Sequence, residues 1–164
     1  MGFDRGTVAR AFSEHRFDEA LPHLAKDVKW TIVGYMVLEG ADAVARTCRD
    51  TAEGLDGIRR EFDRCVTAVG SDAVAVDTVV RYVRPDGMTA VASCAIYEFT
   101  GEQITAITSY AVEIDPEDAG AQPPQIGPGA APQIGPGAAL RIGPGAARVA
   151  PGRGPGGAGA RPRR

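Results

Sequence analysis

The 164-residue chain has little with which to build redox, metal or nucleotide chemistry. Its three cysteines, Cys48, Cys65 and Cys94, are odd in number and far apart, which fits neither a disulfide framework nor a CxxC site. They read as small buried hydrophobes in a reducing compartment. Its two histidines, His15 and His23, stand eight residues apart without metal-ligand spacing, so no metal is expected. No glycine-rich phosphate loop follows a strand-like run in the first 115 residues, and no cofactor is expected. The chain also lacks an apolar run long enough to cross a bilayer and an N-terminal stretch of signal-peptide character, so a cytoplasmic address without a membrane partner is expected.

Aromatic residues are absent after Tyr110, although five Phe, four Tyr and one Trp lie within the first 110 residues. The later segment therefore has nothing with which to form a core. It repeats instead: Pro-Gln-Ile-Gly-Pro-Gly-Ala-Ala at 124–131 and 132–139, then Leu-Arg-Ile-Gly-Pro-Gly-Ala-Ala at 140–147. A period of eight with Gly and Pro in every unit sustains neither helix nor strand, and it lacks the every-third-glycine rule of collagen. Two regions are predicted, a folded domain over 1–115 and a disordered Gly/Pro/Ala-rich tail over 116–164. Charge divides similarly. Six of the 18 basic residues and none of the 21 acidic ones follow Asp118, which leaves 12 against 21 before it, net −9. An acidic body is a poor nucleic-acid footprint, and no nucleic-acid partner is expected.

Within the body, Val8, Ala11, Phe12 and His15 recur at i, i+3, i+4, i+7 and predict a first helix from Thr7. Asp18 is predicted to cap a second, with Ala20, Leu21 and Leu24 as its inward stripe and Pro22 in its opening turn. A strand over 28–33 follows, then a helix over 40–50 with Ala41, Val44, Ala45 and Cys48 on one face. Four strand-like runs over 58–69, 73–84, 88–99 and 104–114 are separated by short turns, and the last three are predicted to form an antiparallel meander.

This order of elements resembles the NTF2-like superfamily and its SnoaL-like members. "FSEHRFDEALPHLAKD" from Phe12 to Asp27 is similar to the helix pair of that family, Leu24 to Trp30 to its entry to strand 1, and Gly40 to Val44 to the opening of its third helix. "FTGEQITAITSY" from Phe99 to Tyr110 resembles its last hairpin. The resemblance implies an α+β cone: three N-terminal helices packed on a curved, mostly antiparallel sheet. It further implies an apolar pocket for a small metabolite and a homodimer formed through the outer face of the sheet. Fold alone does not fix function.

Two activities known in the superfamily lose their machinery here. The positions expected for the polar groups of a ketosteroid isomerase hold about Val8, Ile32 and Ala95. Trp30, Ile32 and Ser109 stand where a limonene-type epoxide hydrolase needs its water-holding and relay groups.

Strand parity groups the remaining candidates. Val74, Val76, Val80 and Tyr82 form one apolar set, with Asp77 and Arg81 together on the opposite face. Asp77 is a candidate general base or anchor and Arg81 a candidate holder of an anion or carbonyl. Outer-face charges are the alternative for both. Thr105, Ile107, Ser109, Ala111 and Glu113 share a face, which the resemblance turns toward the pocket. Ser109 is a candidate hydrogen-bonding residue, and Glu113 is either a pocket carboxylate or a surface one. His15 is a candidate base because it ends the apolar stripe of the first helix. Trp30 and Tyr35 are candidates to line or cap the pocket. Two functions follow: a SnoaL-like protein binding a small apolar metabolite, with cyclase, isomerase or dehydratase chemistry if it is catalytic, or a non-catalytic dimerisation module.

Overall fold

The computed structural model describes residues 2–120. The predicted tail therefore falls almost wholly outside the described residues. Helix α1 spans Arg5–Ser13, with the Asp4 carboxylate accepting from the Thr7 backbone N–H at 2.5 Å as its N-cap. Gly6 lets its first turn come close to the sheet: a Cβ there would sit 3.1 Å from a Val69 methyl. Helix α2 is a single turn, Phe17–Ala20, and passes into a 3-10 turn, Leu21–His23. Asp18 does not cap it. Arg16 takes the N-cap position and Asp18 sits inside the first turn. The helix is cut short because Pro22 has no N–H to offer the Asp18 carbonyl. Leu24, predicted as part of this helix, instead opens strand β1, Leu24–Ile32.

A second strand not anticipated from sequence, β2 (Met36–Glu39), returns against β1 through a turn at Gly34, φ 80°. Helix α3, Ala41–Gly54, follows it. The three helices are thus not all N-terminal, since the β1–β2 hairpin comes between α2 and α3. The remaining strands are β3 (Arg59–Val69), β4 (Ala73–Arg84), β5 (Gly87–Thr100) and β6 (Gln103–Ile114).

The sheet runs β2-β1-β6-β5-β4-β3 and does not close. Strands β3 to β6 form a four-stranded antiparallel meander, one strand longer than predicted, and β1 joins β6 in parallel. Register shifts between Phe62 and Arg64 on β3 and between Glu98 and Phe99 on β5 bend the ladder, as bulges do. The second shift also resets parity: Ile104, fully buried, faces the core, while Thr105 bonds the Glu98 carbonyl.

Register defines the face that α1 and α3 cover. One inner row joins Trp30, Ile107, Tyr97 and Val74, and the next joins Ile32, Ser109, Ala95 and Val76. Against them pack Val8, Ala11 and Phe12 of α1 and Val44 and Cys48 of α3. Burying each Val, Ile or Phe here contributes about 1.5–3 kcal/mol. Phe12 anchors the centre, edge-on to Phe17, Trp30 and Tyr97 at 5.2–5.7 Å between ring centroids. No helix among the described residues is long and apolar enough to cross a membrane.

Candidate functional site

The C-terminal end of α1 sets one side chain in an unusual position. The His15 N–H bonds the Phe12 carbonyl at 3.1 Å, and the Arg16 N–H bonds the Ala11 carbonyl at 2.8 Å. This bond pair is the Schellman termination, which places His15 in the left-handed region, φ 60°. Glycine usually takes that place, and a side chain there costs about 1–2 kcal/mol. His15 is the one non-glycine residue with positive φ among the described residues.

The termination turns the imidazole inward. Its ring stands edge-on to Phe17 at 5.6 Å and to Tyr82 at 6.3 Å. Its Nδ1 is buried and has no hydrogen-bond partner among the described residues. Burial, helped by the positive charge of Arg60, pushes its pKa down to about 4, so the ring is neutral at pH 7. A cleft of about 270 Å³ lies beside it, lined by His15, Arg16, Phe17, Asp18, Glu19 and Ala52.

The sheet supplies the other side of this constellation. Arg60 of β3 and Thr89 of β5 flank Tyr82 in register, so all three side chains stand on the helix-covered face. Burial raises the Tyr82 hydroxyl above its ordinary value against the opposing pull of Arg60 and Arg84, so it is protonated and a donor at neutral pH. The Arg60 guanidinium reaches the Glu14 carbonyl at 3.5 Å, and the Arg84 guanidinium donates to the Thr89 hydroxyl at 3.3 Å. The Glu14 carboxylate is ionised at neutral pH. Burial opposes its charge, but hydrogen bonds from Arg10 and Arg16 outweigh this and hold its carboxyl below the usual range. The arrangement offers a neutral imidazole on a cleft of mixed polar and apolar lining, with a phenol donor and two cations close to that imidazole on the sheet but outside the lining of the cleft.

The other candidates named from sequence are scattered. Asp77 and Arg81 stand on the outer face, where Asp77 pairs with Arg64 at 2.5 Å and Arg81 with Asp63 at 2.6 Å. Neither approaches His15, because residues of odd number on β4 point away from the helices. Trp30 and Ser109 do meet, but each other: the indole N–H donates to the Ser109 hydroxyl at 2.9 Å. Tyr35 is half exposed in the turn between β1 and β2. Glu113 lies opposite Val91 on the inner side, exposed near the end of β6. Tyr82, Arg60 and Arg84 were not recognised as site residues. The parity of β4 put Tyr82 on the core side, but only the bulge at Phe62/Arg64 brings Arg60 opposite it.

Comparison with known proteins agrees with this architecture. The SnoaL-like domain model matches residues 6–107. An NTF2-like protein of unknown function from Cytophaga hutchinsonii is 23% identical, with a TM-score of 0.59 over 68% of this chain and 100% of that one. A candidate SnoaL-like polyketide cyclase from Jannaschia sp. CCS1 is 14% identical, with a TM-score of 0.52 over 64% and 82% of the two chains. A candidate polyketide cyclase from Xanthomonas campestris pv. campestris is 22% identical, with a TM-score of 0.50 over 63% and 83%. No curated protein matches the chain. With the family model spanning more than half of its length, and with the helices and curved sheet of NTF2-like structures, the chain belongs to the SnoaL-like domain family.

Proposed function

We propose that this protein binds a small, largely apolar molecule at the cleft beside His15 and moves a proton on it without a cofactor. The observation that carries this reading is His15 itself: a neutral, partly buried imidazole whose Nδ1 is buried and unpartnered among the described residues, held in a left-handed backbone at the edge of a cleft. An outlier of this kind at a cavity is a reason to suspect function. In the reaction, His15 Nδ1 takes a proton from a carbon next to a carbonyl, and the carbonyl oxygen accepts a hydrogen bond from the Tyr82 hydroxyl. Return of that proton to a different carbon completes an isomerisation, and attack of the enolate carbon on a second carbonyl completes a cyclisation. The SnoaL-like fold supports this reading, since the relatives described as candidate polyketide cyclases share it.

Native mass spectrometry of the full chain purified from its own cells tests the reading. A small-molecule adduct is expected, lost in Phe17→Ala and held in a chemically different form in His15→Asn. Asp77→Asn, on the far face, is expected to behave as wild type. A protein free of adducts in every form would sink the proposal.

One observation favours a second reading, a homodimeric interaction module. The space between helices and sheet is filled by Phe12 and Tyr97 with Trp30 packed against them, while the outer sheet face exposes Val66, Ile96 and Tyr110. An exposed apolar patch of this kind suits a second copy.

A further inference from the structure

Strands β3 and β4 carry five arginines, and their partners divide them. Arg59 pairs with Glu61 at 2.9 Å, Arg64 with Asp77 and Arg81 with Asp63. Arg60 and Arg84 have no carboxylate partner among the described residues; their bonds go to the Glu14 carbonyl and the Thr89 hydroxyl, both neutral. These two are the pair that brackets Tyr82, Arg60 directly across the ladder and Arg84 two residues along the same strand. Of the acids around the site, Glu14 is engaged by Arg10 and Arg16, Glu19 by Arg16, Glu61 by Arg59 and Asp63 by Arg81, while Asp18, on the cleft, has no ion pair among the described residues. In a body of net charge −9, two cations without a carboxylate partner beside a partly buried phenol form a local site for a small anion.

We propose that the molecule bound at the His15 site carries a carboxylate, received by Arg60 and Arg84 on either side of Tyr82. This rests on the reading of His15 as the centre of the site and adds the chemical class of its ligand. Arginine presents paired donors that match a carboxylate, and the Tyr82 hydroxyl supplies a third. The acidic body disfavours polyanions such as nucleic acid, so the site suits one small acid. An arriving anion also bears on the base: Arg60 is one of the two causes that depress His15, and neutralising it moves the imidazole back toward the range in which a histidine accepts protons at neutral pH.

The test compares 1-naphthoate with 1-naphthamide, of equal shape but different charge, by fluorescence titration of the full chain at low and moderate salt. Naphthoate is expected to bind about tenfold more tightly than the amide. Arg60→Gln and Arg84→Gln should each remove most of that preference without weakening the amide, and Arg60→Lys should keep part of it. Equal binding of acid and amide overturns the carboxylate assignment and leaves the His15 cleft standing. A preference for the acid that survives both glutamine variants overturns the assignment to these arginines. Failure of both probes to bind overturns this inference and the site reading together.

Discussion

The Ser13 and Tyr97 hydroxyls lie 2.7 Å apart, joining the last residue of α1 to the C-terminal part of β5 across 84 residues of sequence. Tyr97 is 1% exposed. The bond fixes the end of the helix two residues before His15, so it belongs to the support of the candidate site. Its two partners are not equivalent. Ser13→Ala leaves a buried phenol without a partner and is expected to cost about 1–3 kcal/mol, whereas Tyr97→Phe removes the buried polar group and should cost about 1 kcal/mol. Urea denaturation of both variants checks the order, and a larger loss for Tyr97→Phe would show that the hydroxyl pair is not what holds the helix end.

The left-handed backbone at His15 predicts an inversion of the usual helix preferences. Both His15→Ala and His15→Gly lose the ring contacts with Phe17 and Tyr82. Only glycine also escapes the cost of a Cβ at φ 60°. The glycine variant should therefore be the more stable of the two by about 1 kcal/mol. Thermal denaturation decides it, and an alanine variant as stable as glycine would show that the backbone carries no strain.

Acid should weaken the fold through the same residue. His15 titrates near 6.5 when unfolded and at about 4 when folded, so between these values the unfolded chain binds a proton that the native chain refuses. The contribution is complete above about pH 6.5 and is lost as the pH falls toward 4, by about 3 kcal/mol in all. Carboxylates titrate in part of the same window, so the informative quantity is the difference between wild type and His15→Asn. Parallel stability curves for the two proteins would remove His15 as a buried neutral group.

On the outer face, Val66, Asp77, Cys94 and Tyr110 lie in one row across four strands, with Tyr110 50% exposed. If this face joins two copies, Tyr110→Asp sets an unpaired charge in the seam, where its desolvation opposes association. Light scattering should then give a dimer for wild type and a monomer for the variant at the same concentration. A wild-type monomer at the highest soluble concentration would end the dimer reading.

How far the sequence led depended on the range over which each feature is decided. Periodicity marked α1, α3 and the four long strands because each has enough turns or alternations to show its period, and the even-numbered residues of β4 faced the core as parity required. Strand β2 was missed because four residues, Met36–Glu39, carry too little alternation, and its pairing depends on the turn at Gly34. The end of the second helix was misplaced because Leu24 fits a helical stripe as well as it fits a strand.

The sequence by itself determined the longer helices and strands, the confinement of aromatic residues to the first 110 positions, and the resemblance that placed the chain among SnoaL-like domains. Only the tertiary structure decided where the chemistry collects. Asp77 and Arg81 share a face with each other by parity, but whether that face looks inward depends on where α1 packs. His15, Tyr82, Arg60 and Arg84 come together through a helix termination, a strand register and a bulge, none of which has a period to read. Local preferences act over a few residues, whereas this site joins positions up to 69 apart, and only packing of the whole domain fixes such separations.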